Sequence, residues 1–160
     1  MSDATKREMP KAELELQRVA NLLGGARILR HSLKNPLDAH EMLLRGLPGR
    51  SLVHLIDSLV ILQMNGSLQR AVGMSLRTFQ RTKTMQTKPL SHEQSGRTWK
   101  FAEVLAKATD VLGSQEEAEQ WLERPAIGLD QRRPIDLLAT PAGVEMVEEL
   151  LTRLEYGVYS

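Results

Sequence analysis

Apolar residues recur along the chain at intervals of three and four and nowhere alternate over a strand's length, which predicts helices throughout. Ala12, Leu16, Val19, Ala20 and Leu23 form a first stripe, and Gly24-Gly25 marks its end. Asn35-Pro36 places a capping residue before a proline at the first helical position, opening a short helix to about Arg45; Gly46-Leu47-Pro48-Gly49 then breaks the chain. Leu52, Leu55, Ile56, Leu59 and Leu62 give the next helix a broad buried face, with Ser51 as its expected cap. Ser91 with Gln94, and Ser114 with Glu117, have the form of capping boxes. The first opens a long helix striped by Phe101, Leu105, Ala108 and Leu112 and closed at Gly113; the second opens a helix whose Ala118, Trp121 and Leu122 face inward until Pro125 stops it. Thr140-Pro141 starts the last helix, with Val144, Val147, Leu151 and Leu154 on its apolar side and Gly157 at its end. β-Branched and aromatic residues are sparse, so the expected fold class is all-α, a helical bundle. Lys88-Pro89 is the expected linker. It divides the chain into a flexible N-terminus (1–11), a helical region (12–88) and a C-terminal helical domain (89–160).

Composition narrows the function. The 160 residues are 41% hydrophobic and 26% charged, enough for a packed core. The chain has no cysteine, which excludes disulfides, thiolate nucleophiles and thiolate metal sites. No apolar run approaches the roughly 18 residues of a membrane span, and the first ten residues lack the apolar stretch of a secretory leader, so a cytoplasmic protein with no membrane contact is expected. The net charge of +1 hides a division: residues 1–90 carry 14 basic against 7 acidic side chains, and residues 91–160 carry 7 against 13. Two kinds of partner are implied. From Ser58 to His92 there is no acid, whereas Arg70, Arg77, Arg81, Lys83 and Lys88 all fall within that window. No aromatic precedes Phe79, so the first half has no platform for stacking single-stranded bases.

The acid-free window contains the pattern of a helix-turn-helix between Ser67 and Thr84. Gly73 lets the chain turn, Met74 seats the turn, Ser75 caps the second helix and Phe79 packs it inward. The outward positions then carry Arg77, Thr78, Gln80, Arg81 and Lys83, side chains suited to base edges and phosphate oxygens. With Ser75 these form the candidate DNA-binding set. Gln69 stands four residues before the turn glycine, where alanine is the usual choice for close helix packing. The competing reading is an αα-hairpin with a solvated basic face.

Catalysis is not expected. His31, His40, His54 and His92 are scattered without metal-binding spacing, Gly24-Gly25 lacks the context of a phosphate loop, and no nucleophile elbow occurs. Acid pairs such as Glu116-Glu117 and Glu148-Glu149 fall at solvated helix positions. No cofactor and no metal are implied. Trp99, Phe101 and Trp121 sit at helical spacings that suit a core, and Asp136 after Pro134 suits a helix cap.

Three blocks in the acidic half carry a resemblance: Trp121-Leu-Glu-Arg-Pro125, Arg133-Pro-Ile-Asp-Leu-Leu138 continued by Thr140-Pro-Ala-Gly143, and Glu155-Tyr-Gly-Val-Tyr159. Taken in order they resemble the toxin-binding domain of the Xre/MbcA/ParS antitoxin family. Gly46-Leu-Pro48 and Arg77-Thr-Phe-Gln-Arg81 are similar to that family's amino-terminal half, so the likeness spans most of residues 20–160. It implies the antitoxin of a type II toxin–antitoxin pair, which neutralises a RES-domain NAD-degrading toxin by direct binding and represses its own operon through the helix-turn-helix. It also implies a homodimer, in which residues from about Ala12 to Arg45 are expected to take part. The tail Tyr156, Gly157, Val158, Tyr159 and Ser160 is the candidate toxin contact, with folding back on its own domain as the alternative. Two other readings stand beside the antitoxin: a DNA-binding regulator that answers to another partner, and an interaction module whose basic face serves solubility.

Overall fold

The computed structural model describes residues 8–157. Nine α-helices follow one another there: α1 (Lys11–Leu22), α2 (Gly25–Leu29), α3 (Pro36–Arg45), α4 (Gly49–Asp57), α5 (Gly66–Val72), α6 (Leu76–Thr84), α7 (His92–Leu112), α8 (Gln115–Leu122) and α9 (Pro141–Glu155). Two 3-10 turns, Ile127–Leu129 and Pro134–Leu137, lie between α8 and α9. The all-α expectation holds; β pairing among the described residues is confined to isolated bridges, Pro48 with Pro89 and Ala126 with Arg132.

The axis of the molecule is α7, 21 residues and so about 30 Å long. It packs against α1, α3, α5, α8 and α9. Ser95, Thr98, Trp99, Phe101, Ala102, Val104, Leu105 and Ala108 are all buried along it, more than a single stripe, as a helix with neighbours on several sides requires. One continuous apolar core runs from Val19 and Leu23 through Leu52, Leu68 and Phe79 to Leu122, Ile135 and Leu151. Trp99 and Phe101 belong to it as expected, and Trp121 is half-buried against it.

The caps follow the side chains that the sequence singles out. Asn35, Ser75, Ser91, Ser114 and Thr140 each accept the backbone N–H three residues on. Ser51 does not. Helix α4 starts three residues earlier than a Ser51 cap implies, because its free donors are taken by a neighbouring segment: the N–H of Gly49 donates to Lys88 O at 3.0 Å and that of Arg50 to Gln86 O at 2.9 Å. Pro48 can therefore stand at the N-cap, and Ser51 is buried inside the helix. The same bonds, with Leu90 N–H to Leu47 O at 2.7 Å, pin Lys88-Pro89 against residues 47–50, where a linker was expected. Helix α4 also ends at Asp57; Leu59 and Leu62 still pack on the core, but from the loop beyond. Gly24-Gly25 ends α1 and at once begins α2, a short helix that no periodicity marks.

Candidate functional site

Helices α5 and α6 form the helix-turn-helix. Leu68, Ala71, Val72, Met74 and Phe79 are buried and hold the pair to the core, while Gly73 takes φ +68°, a left-handed conformation that favours glycine. Gln69 is half-buried, and its amide donates to Met64 O, which ties it to the loop ahead of α5. All six candidate DNA-binding residues are exposed, but they differ in what they already hold. The Ser75 hydroxyl accepts from Thr78 N–H at 3.2 Å and donates to Thr78 Oγ1 at 3.0 Å, so both hydroxyls serve the cap. Lys83 lies 5.1 Å from the Phe79 ring centre and 3.8 Å from Asp57. Arg77, Gln80 and Arg81 make no side-chain hydrogen bond or ion pair among the described residues. At spacings of three and four they share one face of α6, opposite buried Phe79. Two guanidiniums flanking an amide, without internal partners, can reach into a groove or onto its phosphates.

Helix α5 is gripped at both ends by residues from outside the motif. At its start, Arg133 donates to Ser67 Oγ at 2.6 Å while making a bidentate pair with Asp136, at 2.8 and 3.0 Å. Arg70 approaches the same carboxylate at 3.8 Å. The Arg133 guanidinium, by hydrogen bonding, holds the Asp136 carboxyl below the usual carboxylate range; partial burial opposes this, and Ser67 and Arg70 add to it. Asp136 is thus the fixed partner of Arg133 and not the expected cap, because its 3-10 turn starts from Arg133 with no side-chain cap. At the end of α5, Gln94 donates to Val72 O, and Arg97 Nη2 donates to Arg70 O at 2.6 Å and to Ala139 O at 3.1 Å. Gln94 therefore fills only half of a capping box: its N–H meets Ser91, but its amide goes to Val72.

In the acidic half, α8 contributes Glu119, a wholly buried carboxylate. It accepts the successive N–H groups of Val60, Ile61 and Leu62 at 2.9 to 3.0 Å, and Gln115 Nε2 at 3.0 Å. Three consecutive backbone donors form an anion-binding concavity, which the chain fills with its own side chain. Neither Glu119 nor Arg97 stands out in the sequence, because their partners are backbone groups about 59 and 27 positions away. Helix α9 starts where Gly143 lets it meet the Pro134–Leu137 turn: a side-chain carbon at position 143 would collide with Leu137 O. At its far end Tyr156 is 72% exposed, beside the Lys11–Glu155 ion pair of 3.6 Å. Gly157 turns the chain with φ +68°. Tyr156 is therefore not folded into the core; Val158, Tyr159 and Ser160 lie outside the described residues. Among the described residues no cluster of three metal-ligating side chains occurs, and no helix is long and apolar enough to cross a membrane.

The fold and its exposed faces define a class: a helix-turn-helix half joined through one long central helix to a second helical half of opposite charge. Residues 38–103 match the antitoxin Xre-like helix-turn-helix domain, and residues 107–157 match the antitoxin Xre/MbcA/ParS C-terminal toxin-binding domain. Antitoxin Xre of Yersinia enterocolitica is 33% identical over 111 residues, 68% of this chain and 74% of that protein. Antitoxin Xre of Photorhabdus laumondii is 31% identical over 96 residues, 59% of this chain and 64% of that one. Antitoxin Xre of Pseudomonas putida is 26% identical over 125 residues, 78% and 76% of the two chains. The chain belongs to the Xre antitoxin family.

Proposed function

We propose that the protein is the antitoxin of a type II toxin–antitoxin pair, acting by binding and not by catalysis. Its acidic C-terminal half neutralises a RES-domain toxin that degrades NAD, and α6 represses the shared operon. The observation that carries this reading is the joining, in one chain, of an open basic face on α6 to a toxin-binding domain whose last helix is followed by an exposed tyrosine, Tyr156. Physical chemistry supports the division: a basic face suits a polyanion, and a separate acidic half offers complementarity to a protein without competing for it. Within α6, Arg77, Gln80 and Arg81 read or grip the duplex, Lys83 adds charge, and Ser75 and Thr78 set the helix end that approaches it.

The tail from Tyr156 onward is the toxin contact. An exposed aromatic after the last helical turn can enter a pocket shaped for an aromatic ring, and truncating such an anchor commonly costs about 2 kcal/mol or more, about thirtyfold in affinity. Removing residues 156–160 should therefore restore toxicity in cells co-expressing the product of the neighbouring reading frame, while the shortened protein still folds and binds its promoter. A truncation that still protects would assign the contact to the surface of α7 to α9. A homodimer completes the proposal, since two helix-turn-helix units bridging half-sites about 34 Å apart act together.

A further inference from the structure

Directly after α6, residues 85–90 form a short arm held along its length by backbone bonds. Lys88 N–H donates to Met85 O at 3.1 Å, Lys88 O accepts from Gly49 N–H at 3.0 Å, Gln86 O accepts from Arg50 N–H at 2.9 Å and Leu90 N–H donates to Leu47 O at 2.7 Å. Gly49 permits the approach: a carbon added there would lie 3.0 Å from Thr82 Cγ2 and 3.3 Å from Lys88 O. The Lys88 side chain thus starts from a fixed backbone, and it is exposed, with no hydrogen bond or ion pair among the described residues. Between this arm and α6 lies a cleft of about 280 Å³ with Thr78, Arg81, Met85, Lys88 and Ser91 on its walls. No carboxylate lines it, a consequence of the acid-free stretch from Ser58 to His92. Two cations without a counter-charge therefore face one cavity, an arrangement that attracts an anion. Ser91 adds a donor: its oxygen accepts from Gln94 N–H at 3.1 Å, which leaves the hydroxyl proton free. Arg81 belongs both to this cleft and to the outward face of α6, so the cleft opens where a groove entered by α6 would present its phosphate wall.

We propose that the cleft binds a backbone phosphate of the duplex, held by Lys88, Arg81 and the Ser91 hydroxyl, so that the arm after α6 is a second grip on DNA outside the helix-turn-helix motif. The inference rests on α6 being the DNA reader and adds to it a contact that carries no sequence preference. Lysine suits the task as a compact charge on a flexible stem that can follow a phosphate, whereas base edges call for the arginine fork.

The test is binding of the full chain to a duplex from its own upstream region, and to an unrelated duplex, as a function of salt. Lys88→Gln should weaken both complexes by the same factor and flatten the slope of log K against log salt by about 0.9, the signature of one lost phosphate. Lys88→Arg keeps the charge and should keep the slope. Arg124→Gln removes an exposed cation from the acidic half and should leave affinity and slope as in the wild type. Phosphate ethylation locates the contact: at one or more positions the modification should hinder the wild type but no longer the Lys88→Gln protein. An unchanged slope and ethylation pattern in Lys88→Gln, or an equal loss in Arg124→Gln, overturns the arm's role alone. Failure of the wild type to bind either duplex overturns the DNA-reading role of α6, and the phosphate cleft with it.

Discussion

Single side chains with backbone partners hold this molecule together, and Glu119 is the most exacting of them. A buried carboxylate without a cationic partner persists only if its lone pairs are filled, and Val60, Ile61, Leu62 and Gln115 fill them. Glu119→Ala would leave three successive N–H groups without their acceptor, at exposed Val60, half-buried Ile61 and buried Leu62. The expected loss is about 3 kcal/mol, since each unsatisfied buried donor costs about 1–3 kcal/mol and local rearrangement admits water to some of them. A urea melt checks this: a midpoint within error of the wild type would mean that the loop does not depend on the carboxylate. Ser75, Ser91, Ser114 and Thr140 are legible in sequence because a cap bonds within three residues of itself. Glu119, Arg97 and Gln94 are not, because nothing local distinguishes a polar residue on a helix from one aimed at a distant carbonyl. Ser51 shows the converse, a residue of capping type made unnecessary when backbone carbonyls at Gln86 and Lys88 take the free donors.

Elements long enough to carry a period are readable: α1, α3, α7, α8 and α9 lie close to where their stripes place them. The short ones are not. Helix α2 has five residues, and the 3-10 turns have three and four, too few to show a repeat. They form because neighbours fix them, as at Gly143, where α9 sits directly on the Pro134–Leu137 turn. Gly143→Ala would drive a methyl group into Leu137 O, and neither the backbone oxygen nor the first turn of α9 can yield without losing the Thr140 cap. The variant should lose about 2 kcal/mol or more of stability, within the range that overpacking costs. Circular dichroism melts check it; unchanged stability would show that the turn moves freely. Because Tyr156 directly follows α9, the damage should extend to toxin protection while promoter binding survives below the melting temperature.

At the scale of the whole molecule, the division of charge is visible in sequence and the single core is not. Deleting residues 1–45 would strip Val19, Leu23, Ala39 and Met42 from the core that covers α7, so dimer formation is better tested at the surface. Leu37 and Leu44 are 62% and 56% exposed on one face of α3, seven residues apart, within the 12–45 region proposed for the dimer. Replacing both with glutamate should give a monomer in light scattering with an unchanged melting profile; a double variant that remains dimeric would place the interface elsewhere. The central claim, that α6 grips DNA through Arg77 and Arg81, is tested most directly by promoter affinity measured as a function of salt. Every phosphate that a variant no longer neutralises should flatten the slope of log K against log salt by about 0.9. If both arginines hold phosphates, Arg77→Ala with Arg81→Ala should bind at least about tenfold more weakly than the wild type, with a slope shallower by nearly two. Equal affinities and equal slopes for the two proteins would contradict it and leave α6 a solvated basic face.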